Sequence, residues 1–238
     1  MFGSLLPQKV SMKRTVVAEL LDSDAGTPSE VAASLSDLDH INQWFGGISA
    51  TQSMVEKVAR ILRVQSLSLL EVAAGTGVVP AAVAAALARS GVEIKVTLLD
   101  RAQCHLKSCN RRAVTGDALA LPFSDGSFDV VSCTLFVHHL APDEVLRFVN
   151  EALRVCRVAV LINDVVRHRA HLGLVYAGMP LYWSRLTRHD APASVRRAYT
   201  VMEMKGMLGK SQAARVDITR HFLFRMGVIA WRNAPGTK

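Results

Sequence analysis

The stretch Glu-Val-Ala-Ala-Gly-Thr-Gly at residues 71–77 is the feature from which the rest of the chain can be interpreted. It follows a predicted strand at 66–73 and precedes a predicted alanine-rich helix at 80–90. Glycines in such a turn let the backbone approach a ligand closely, and the first turn of a helix presents unpaired N–H groups. The stretch therefore predicts a ligand-binding turn, although a glycine-rich turn between a strand and a helix also occurs for packing alone.

Strand and helix patterns alternate after this turn. In order, the pattern predicts a strand at 92–100, a helix at 101–112, strands at 113–116 and 128–135, a helix at 142–156 and a strand at 158–165. Two final strands, at 214–223 and 225–231, lie so close together that only an antiparallel hairpin joins them. Continuous apolar strands that alternate with helices are typical of a parallel sheet covered on both faces. We therefore predict an α/β fold with a doubly wound, seven-stranded Rossmann-like sheet and an antiparallel last strand.

The ends of the chain are predicted to add helices to this sheet in a single compact unit. We expect an N-terminal helical cap at 1–63, a main domain at 64–238 and a helical insertion at about 166–199. Thr27 followed by Pro28 and Glu30 matches the start of the cap helix, because it places a capping hydroxyl, a first-turn proline and a carboxylate at the favoured positions. Later segments are predicted as an apolar helix at 168–186, a polar loop at 187–193 and a helix at 200–208.

Composition excludes several classes of protein. With 238 residues, 50% of them hydrophobic and 20% charged, the chain is neither a disordered segment nor a disulfide-stapled miniprotein. The four cysteines show no CxxC or Cys/His ligand spacing, so we expect no disulfide framework, no zinc site and no metal. No apolar run approaches the roughly 20 residues of a membrane span, and the first residues lack a signal-peptide pattern. We expect a cytoplasmic protein without a membrane span.

The net charge of +8 is concentrated in the last third of the chain, where residues 157–238 hold 14 Lys and Arg against 4 Asp and Glu. A basic surface attracts anionic partners, including nucleic acids. These basic residues are scattered and few aromatic side chains lie among them, so we interpret them as a solvated surface and expect no nucleic-acid partner. The sequence leaves the oligomeric state open.

Acidic and small residues follow the predicted strands at one edge of the sheet. Asp100 ends the second strand, where a carboxylate can bind two ribose hydroxyls, and residues 116–118 follow the short third strand, where an adenine would lie. Open α/β sheets bind ligands at the carboxyl ends of their strands. The combination predicts an adenosine-containing cofactor.

Taken together, residues 66–165 resemble the class I S-adenosylmethionine-dependent methyltransferases, most closely the small-molecule branch of the ubiquinone and menaquinone biosynthesis enzymes. The resemblance is carried by four motifs, EVAAGTG, LLD, GDALALPF and SFDVVSCTLFVHHL. These motifs are specific as a set, while none is specific alone. The resemblance implies S-adenosyl-L-methionine as the cofactor.

The resemblance also implies which residues bind this cofactor. The glycine turn passes beneath the methionine part, the acid after strand two binds ribose, the Asp of the GDA segment meets adenine, and the end of strand four closes the methionine side. In this chain these residues are Glu71, Ala73, Gly75, Gly77, Asp100, Arg101, Asp117, Ala118, Cys133 and Thr134. One departure from the family is Ala73, which stands where glycine is usual and is tolerated only if its φ is negative.

A nicotinamide dinucleotide is the competing cofactor. Its G-x-G-x-x-G fingerprint would place the third small residue at Pro80, after Gly75 and Gly77. Proline is a poor substitute at that position, and a nicotinamide site gives no reason for GDALALPF. The sequence therefore favours the methyl donor.

Three histidines are candidate catalytic residues. His138 and His139 follow strand four at the mouth of the predicted site, and His189 lies in the insertion. An imidazole there is suited to take a proton from an acceptor hydroxyl. The alternative is that the pair supports the following helix and that residues 188–190 form a surface ion cluster.

The predicted activity is transfer of the sulfonium methyl group to an oxygen or carbon nucleophile of a small apolar acceptor, aromatic or quinone- or polyketide-like. Such a transfer requires alignment and water exclusion more than a catalytic dyad. Two alternatives stay open, a non-catalytic binding protein of the same fold, suggested by Ala73, and an NAD(P)-dependent reductase.

Overall fold

The computed structural model describes residues 12–23, 25–106 and 112–234. Its helices are α1 (Pro28–Trp44), α2 (Gly47–Leu62), α3 (Val78–Arg89), α4 (Gln103–Leu106), α5 (Pro142–Val155), α6 (Arg169–Gly178), α7 (Arg185–Arg197) and α8 (Val201–Leu208). Its strands are β1 (Ser66–Val72), β2 (Glu93–Asp100), β3 (Arg112–Thr115), β4 (Phe128–Thr134), β5 (Cys156–Val165), β6 (Arg215–His221) and β7 (Arg225–Trp231).

The strands form one sheet in the order β3-β2-β1-β4-β5-β7-β6, which confirms the predicted seven-stranded topology. The first five strands of the chain are parallel to one another, whereas β7 is antiparallel to both β5 and β6. In the register, Val72 at the end of β1 lies opposite Leu99 and Cys133. The carboxyl ends of β1, β2 and β4 therefore meet at one edge of the sheet.

Helices cover both faces of the sheet, as the continuous apolar strands predict. One face is packed by α5 and α8, which contribute Val145, Phe148 and Met204 to the core. The other face is packed by α2 and α3, which contribute Val55 and Val83. None of the helices within the described ranges is long and apolar enough to cross a membrane.

The N-terminus of α1 lies where the sequence predicts it. The Thr27 side chain accepts the N–H of Glu30, and the Glu30 carboxylate accepts the N–H of Thr27. This reciprocal capping box satisfies two of the N–H groups that a helix start leaves unpaired. The same arrangement of Thr200 and Glu203 begins α8.

Two predicted elements are wrong. The polar loop at 187–193 lies inside α7, and the helix predicted at 168–186 ends at Gly178. Helix α7 begins at 185 because the Ser184 side chain caps it. Its polar residues Thr187, Asp190 and Arg197 are buried by tertiary contacts, so polarity did not indicate a loop here. The Thr187 hydroxyl, for example, lies 3.1 Å from that of Ser34 on α1.

Two further predictions are changed in extent. Of the helix predicted at 101–112, α4 accounts for Gln103–Leu106, and residues 107–111 lie outside the described part of the chain. Residues 12–20, predicted as part of a helical cap, form no helix. They run against α7 instead, where the Thr15 N–H donates to the carbonyl of Arg196.

A buried arginine joins α1 to the antiparallel end of the sheet. Arg225 is 2% exposed and donates to the Phe45 carbonyl and to the side-chain oxygens of Asn163 and Asn42. Burial lowers the pKa of Arg225 to about 10, although nearby Asp164 opposes this change. The guanidinium thus satisfies three buried acceptors at the junction of α1, β5 and β7.

We expect Arg225→Met to lower the free energy of unfolding by about 3 kcal/mol, because methionine preserves most of the apolar stem but leaves those acceptors without donors. Arg220→Met, at an exposed position on β6, is the matched control and should change it by less than about 0.5 kcal/mol. Urea unfolding of both variants measures the difference, and equal losses would show that the buried hydrogen bonds do not stabilise this junction.

Candidate functional site

The turn after β1 forms a cradle at the carboxyl edge of the sheet. Ala73, Gly75 and Gly77 all have positive φ angles, of 53°, 53° and 71°. A Cβ atom built on Gly75 meets no atom within 4 Å, so the space beside this glycine is open. Gly77 is the N-cap of α3, and the unpaired N–H groups of that helix follow it.

The carboxylate of Asp100 fixes this turn. Its Oδ2 accepts the N–H of Gly75 at 2.8 Å, and its Oδ1 accepts the N–H of Ala102 at 2.9 Å. The contact ties the turn after β1 to the end of β2. Asp100 is 9% exposed and lines the cavity described below, so its remaining lone pairs face the space in which a ligand would lie.

Glu71 is a buried acid at the end of β1. The hydroxyl of Ser132 donates a short hydrogen bond to its carboxylate. Burial raises the pKa of Glu71 to about 7, against the effect of that hydrogen bond. A carboxyl group with such a pKa changes its charge near neutral pH, so it is suited to respond to a cationic ligand.

A cavity of about 860 Å³ lies above this edge of the sheet. Its floor is formed by the turns after β1, β2, β3 and β4, and its opposite walls by α1, α7 and residues 19–23. The apolar residues among its lining include Leu21, Leu35, Leu38, Val78, Leu135, Phe136 and Leu140. The volume and the mixed lining are those of a small-molecule site.

The structure brings most of the predicted cofactor residues to this cavity. Those that line it are Glu71, Ala73, Gly75, Asp100, Arg101, Asp117, Ala118 and Thr134. Gly77 acts through the start of α3 rather than by lining the cavity. Cys133 belongs to the hydrophobic core, where burial raises the pKa of its thiol well above the ordinary value.

The backbone conformation of Ala73 differs from the one that the sequence analysis predicts for it. A negative φ was the condition under which its methyl group would be tolerated, and the observed φ of 53° does not meet this condition. The left-handed conformation costs an L-residue roughly 1–2 kcal/mol. The turn keeps the conformation that glycine favours, and the alanine adopts it at that cost.

His138 lies at the far wall of the cavity and is 2% exposed. Its Nδ1 is 2.7 Å from Oδ1 of Asp164 at the end of β5, and Oδ2 of Asp164 accepts its backbone N–H. Its Nε2 faces Oε1 of Glu19 at 3.6 Å, which is longer than a hydrogen bond. Burial alone would lower the pKa of His138, but the two carboxylates raise it to about 10.

His139 stands beside it on the same wall. Its Nδ1 is 2.9 Å from a carboxylate oxygen of Asp22, and its Nε2 is 3.8 Å from Oε2 of Glu19. Burial would raise the pKa of Asp22, but His139 and Arg197 hold it near 2. His139 retains 21% of its side-chain exposure and lines the cavity, so this imidazole is accessible to a ligand.

Two acids of this wall, Glu19 and Asp22, were missed by sequence reasoning. They lie in the N-terminal segment, which is far from the histidines in sequence and carries no recognised motif. The only signal in the sequence is that both acids interrupt an apolar run, Val-Val-Ala-Glu-Leu-Leu-Asp at 16–22.

Asp190 holds this N-terminal segment in place. Its two carboxylate oxygens accept the N–H groups of Leu20 and Leu21, at 2.8 and 3.0 Å. The predicted cluster at 188–190 thus acts through Asp190, which anchors the segment that carries Glu19. His189, predicted as a catalytic residue, is exposed on α7 and pairs with Asp190. It does not line the cavity and therefore lies outside the candidate site.

Comparisons with known proteins agree with this geometry. Residues 69–158 match the family model described as Methyltransferase domain. No curated protein is significantly similar in sequence to this chain.

Solved structures share the fold at low sequence identity. The plantazolicin methyltransferase BpumL, solved with a monoazolic desmethylPZN analog and SAH, is 15% identical, with a TM-score of 0.64 over 90% of this chain and 94% of that chain. A SAM dependent methyltransferase from Aquifex aeolicus is 17% identical, with a TM-score of 0.52 over 74% and 88% of the two chains. The CMeT domain of the citrinin polyketide synthase is 16% identical, with a TM-score of 0.54 over 71% of this chain and 47% of that one.

We expect Ala73→Gly to raise the free energy of unfolding by about 0.5–1 kcal/mol, because relief of the left-handed strain exceeds the backbone entropy that glycine adds. The neighbouring Ala74, which has no positive φ, is the matched control. Ala74→Gly should lower the free energy of unfolding by about 0.5–1 kcal/mol. Urea unfolding of both variants measures these two changes. A loss of stability in both variants would mean that the backbone of Ala73 carries no strain.

Proposed function

We propose that this chain, a class I S-adenosylmethionine-dependent methyltransferase, transfers the methyl group of its cofactor to an oxygen or carbon nucleophile of a small apolar acceptor. The observation that carries the proposal is the shape of the cavity. Its floor presents the cofactor-binding turns, and its opposite walls combine apolar side chains with two histidines and two acids. One cavity thus has room for a cofactor and for a second small molecule beside it.

The residues of the floor fit the cofactor. The glycine turn is open beside Gly75, Asp100 offers carboxylate lone pairs to ribose hydroxyls, and Asp117 is exposed where adenine would lie. When bound, S-adenosylmethionine supplies an electrophilic methyl group on a positively charged sulfur. Glu71 is a buried acid at the end of β1. Its carboxylate would balance the positive charge of the sulfur or that of the cofactor's ammonium group.

An apolar, aromatic or quinone- or polyketide-like acceptor is supported by the walls rather than the floor. Leu21, Leu35 and Leu38 offer apolar surface on the walls formed by residues 19–23 and α1. Trp44 and Trp183 do not contribute to these walls, because their side chains are 64% and 83% exposed and lie outside the cavity. Membership of the ubiquinone-like branch stays a prediction.

His139 is the group that we propose for the acceptor's proton. Asp22 binds its Nδ1 and so leaves Nε2 as the proton-accepting atom. This is the arrangement that a general base needs, with its ring oriented by a carboxylate. His138 is held by Asp164 and is buried, so its part is to position His139 and the neighbouring backbone.

Calorimetric titration with S-adenosylmethionine, S-adenosylhomocysteine and NADH tests the cofactor. We expect micromolar binding of the first two and none of NADH. Asp100→Ala should lower the affinity for both at least tenfold, because it removes the carboxylate that binds ribose and holds the turn at Gly75. Asp125→Ala is the matched control, since Asp125 is exposed outside the cavity and pairs with Arg154. Binding of NADH alone would contradict the assignment.

Methyl transfer is then measured with labelled S-adenosylmethionine against phenolic, quinol and polyketide-like acceptors. We expect transfer to at least one of these classes, and slower turnover in His139→Ala with unchanged cofactor affinity. Cofactor binding without transfer to any acceptor would favour a non-catalytic binding protein of this fold.

The pKa of Glu71 gives the cofactor affinity a pH dependence. Because a cationic ligand favours the ionised carboxylate, affinity should rise as the pH increases from about 6 to 8, and binding near pH 7 should release a proton. Glu71→Gln should flatten both effects, whereas Glu93→Gln, at an exposed position on β2, should leave them intact. Calorimetry in buffers of different ionisation enthalpy measures the proton release.

The same shift sets the sign of a stability change in the free protein. Since burial raises the pKa of Glu71 from 4.5 to about 7, its contribution to stability is full below pH 4.5 and is lost as the pH rises through about 7. For the preceding prediction, a cofactor affinity that falls between pH 6 and 8 would contradict the role of Glu71 opposite the cofactor's positive charge.

A further inference from the structure

We propose that Glu19, His138 and His139 form a binding site for a divalent transition-metal cation of the zinc type, and that its open position takes an oxygen of the methyl acceptor. One carboxylate oxygen of Glu19 and the Nε2 atoms of both histidines lie within 4.8 Å of one another. The second part of the proposal rests on the proposed function, and the first does not.

The distances suit a small cation with little rearrangement. Nε2 of His138 is 3.6 Å from Oε1 of Glu19, and Nε2 of His139 is 3.8 Å from Oε2. Ligand atoms about 2.1 Å from a tetrahedral zinc ion are about 3.4 Å apart. The two contacts of Glu19 are close to this spacing, and one ligand atom of each of the three residues lies within 4.8 Å of the other two.

Two buried polar atoms aim into this space without a hydrogen-bond partner. They are Oε1 of Glu19 and Nε2 of His138, in residues that are 8% and 2% exposed. Buried polar atoms in native proteins are almost always paired, so an unpaired donor-acceptor couple points to a missing ligand. A cation between the two atoms satisfies both.

Both histidines are already oriented as metal ligands. Nδ1 of His138 contacts Asp164 and Nδ1 of His139 contacts Asp22, so the Nε2 atom of each ring faces Glu19. A carboxylate that accepts the Nδ1–H of a ligating histidine fixes its tautomer and raises its basicity, and such pairs accompany most protein zinc ligands. This site has two of them.

The charges around the site favour a divalent cation. Three carboxylates, those of Glu19, Asp22 and Asp164, converge on the two histidines. The positively charged side chain of Arg197 contacts two of these carboxylates, at 3.8 Å from Glu19 and 3.1 Å from Asp22. Arg14 approaches the same wall but bonds the backbone carbonyl of His138.

Three protein ligands leave the fourth position of a tetrahedral ion free, which is typical of catalytic rather than structural zinc. All three proposed ligands line the cavity that holds the cofactor turns. An acceptor hydroxyl bound at the open position would lose its proton to solvent at a lower pH, because the cation stabilises the oxyanion. The nucleophile is then the metal-bound oxygen, and His139 serves as a ligand instead of a base.

The test uses the full chain, treated with a chelator and dialysed, and titrates it with Zn²⁺ by calorimetry and with Co²⁺ by visible absorption. We expect one ion per chain and the absorption of a four-coordinate Co²⁺ site. Glu19→Gln should weaken Zn²⁺ binding by at least tenfold, and Asp22→Asn, which removes the charged partner of His139 and of Arg197 but no proposed ligand, by about tenfold. His40→Ala, an exposed histidine on α1, is the control and should bind Zn²⁺ as the unmodified chain does.

The outcomes separate this proposal from the proposed function. Absence of stoichiometric binding, or equal affinity in Glu19→Gln, overturns the metal site and leaves His139 as a base, while cofactor binding is unaffected. Metal binding with a Glu19-dependent affinity but no cofactor binding overturns the proposed function and preserves the site. Addition of a hydroxyl acceptor to the Co²⁺ form should change its spectrum, and an unchanged spectrum with a methylated acceptor contradicts acceptor ligation.

Discussion

The parallel pairing of β1, β2, β3 and β4 is the constraint on which the site depends. It makes these four strands end at one edge of the sheet, so that the turns after them meet at one cavity. The hydrogen bond from the Gly75 N–H to Asp100 joins two of these turns and satisfies a backbone donor that the end of β1 leaves unpaired. Cofactor binding needs no further scaffold than this edge.

The opposite wall of the cavity depends on a contact between distant parts of the chain. Residues 12–23 have little regular structure of their own and owe their course to α7, whose Asp190 accepts two of their N–H groups. This places Glu19 and Asp22 beside His138 and His139. The arrangement of this wall therefore depends on α7, although α7 contributes only Ser194 and Arg197 to the lining.

A strained alanine, a buried acid and buried polar atoms without a hydrogen-bond partner all lie at this cavity. Ala73 holds a left-handed conformation on the floor, and the buried Glu71 carries a pKa near 7. On the wall, buried polar atoms of Glu19 and His138 face each other without a hydrogen bond. Native structures retain such costs where function requires them, because the rest of the fold supplies the stability. The cavity is thus the place where ligands gain most by binding.

The sequence by itself determined the sheet, its antiparallel last strand and the strand-end turns that line the cavity, because these depend on local patterns: apolar strands, capping residues and the short motifs at strand ends. The φ of Ala73, the helical state of residues 187–193 and the partners of His138 were decided by the tertiary structure. Polar residues in α7 form a helix because they pair across the molecule with Ser34 and with residues 20 and 21. Glu19 reaches the histidines because α7 guides its segment there, and contacts across more than a hundred residues leave no periodicity in the sequence.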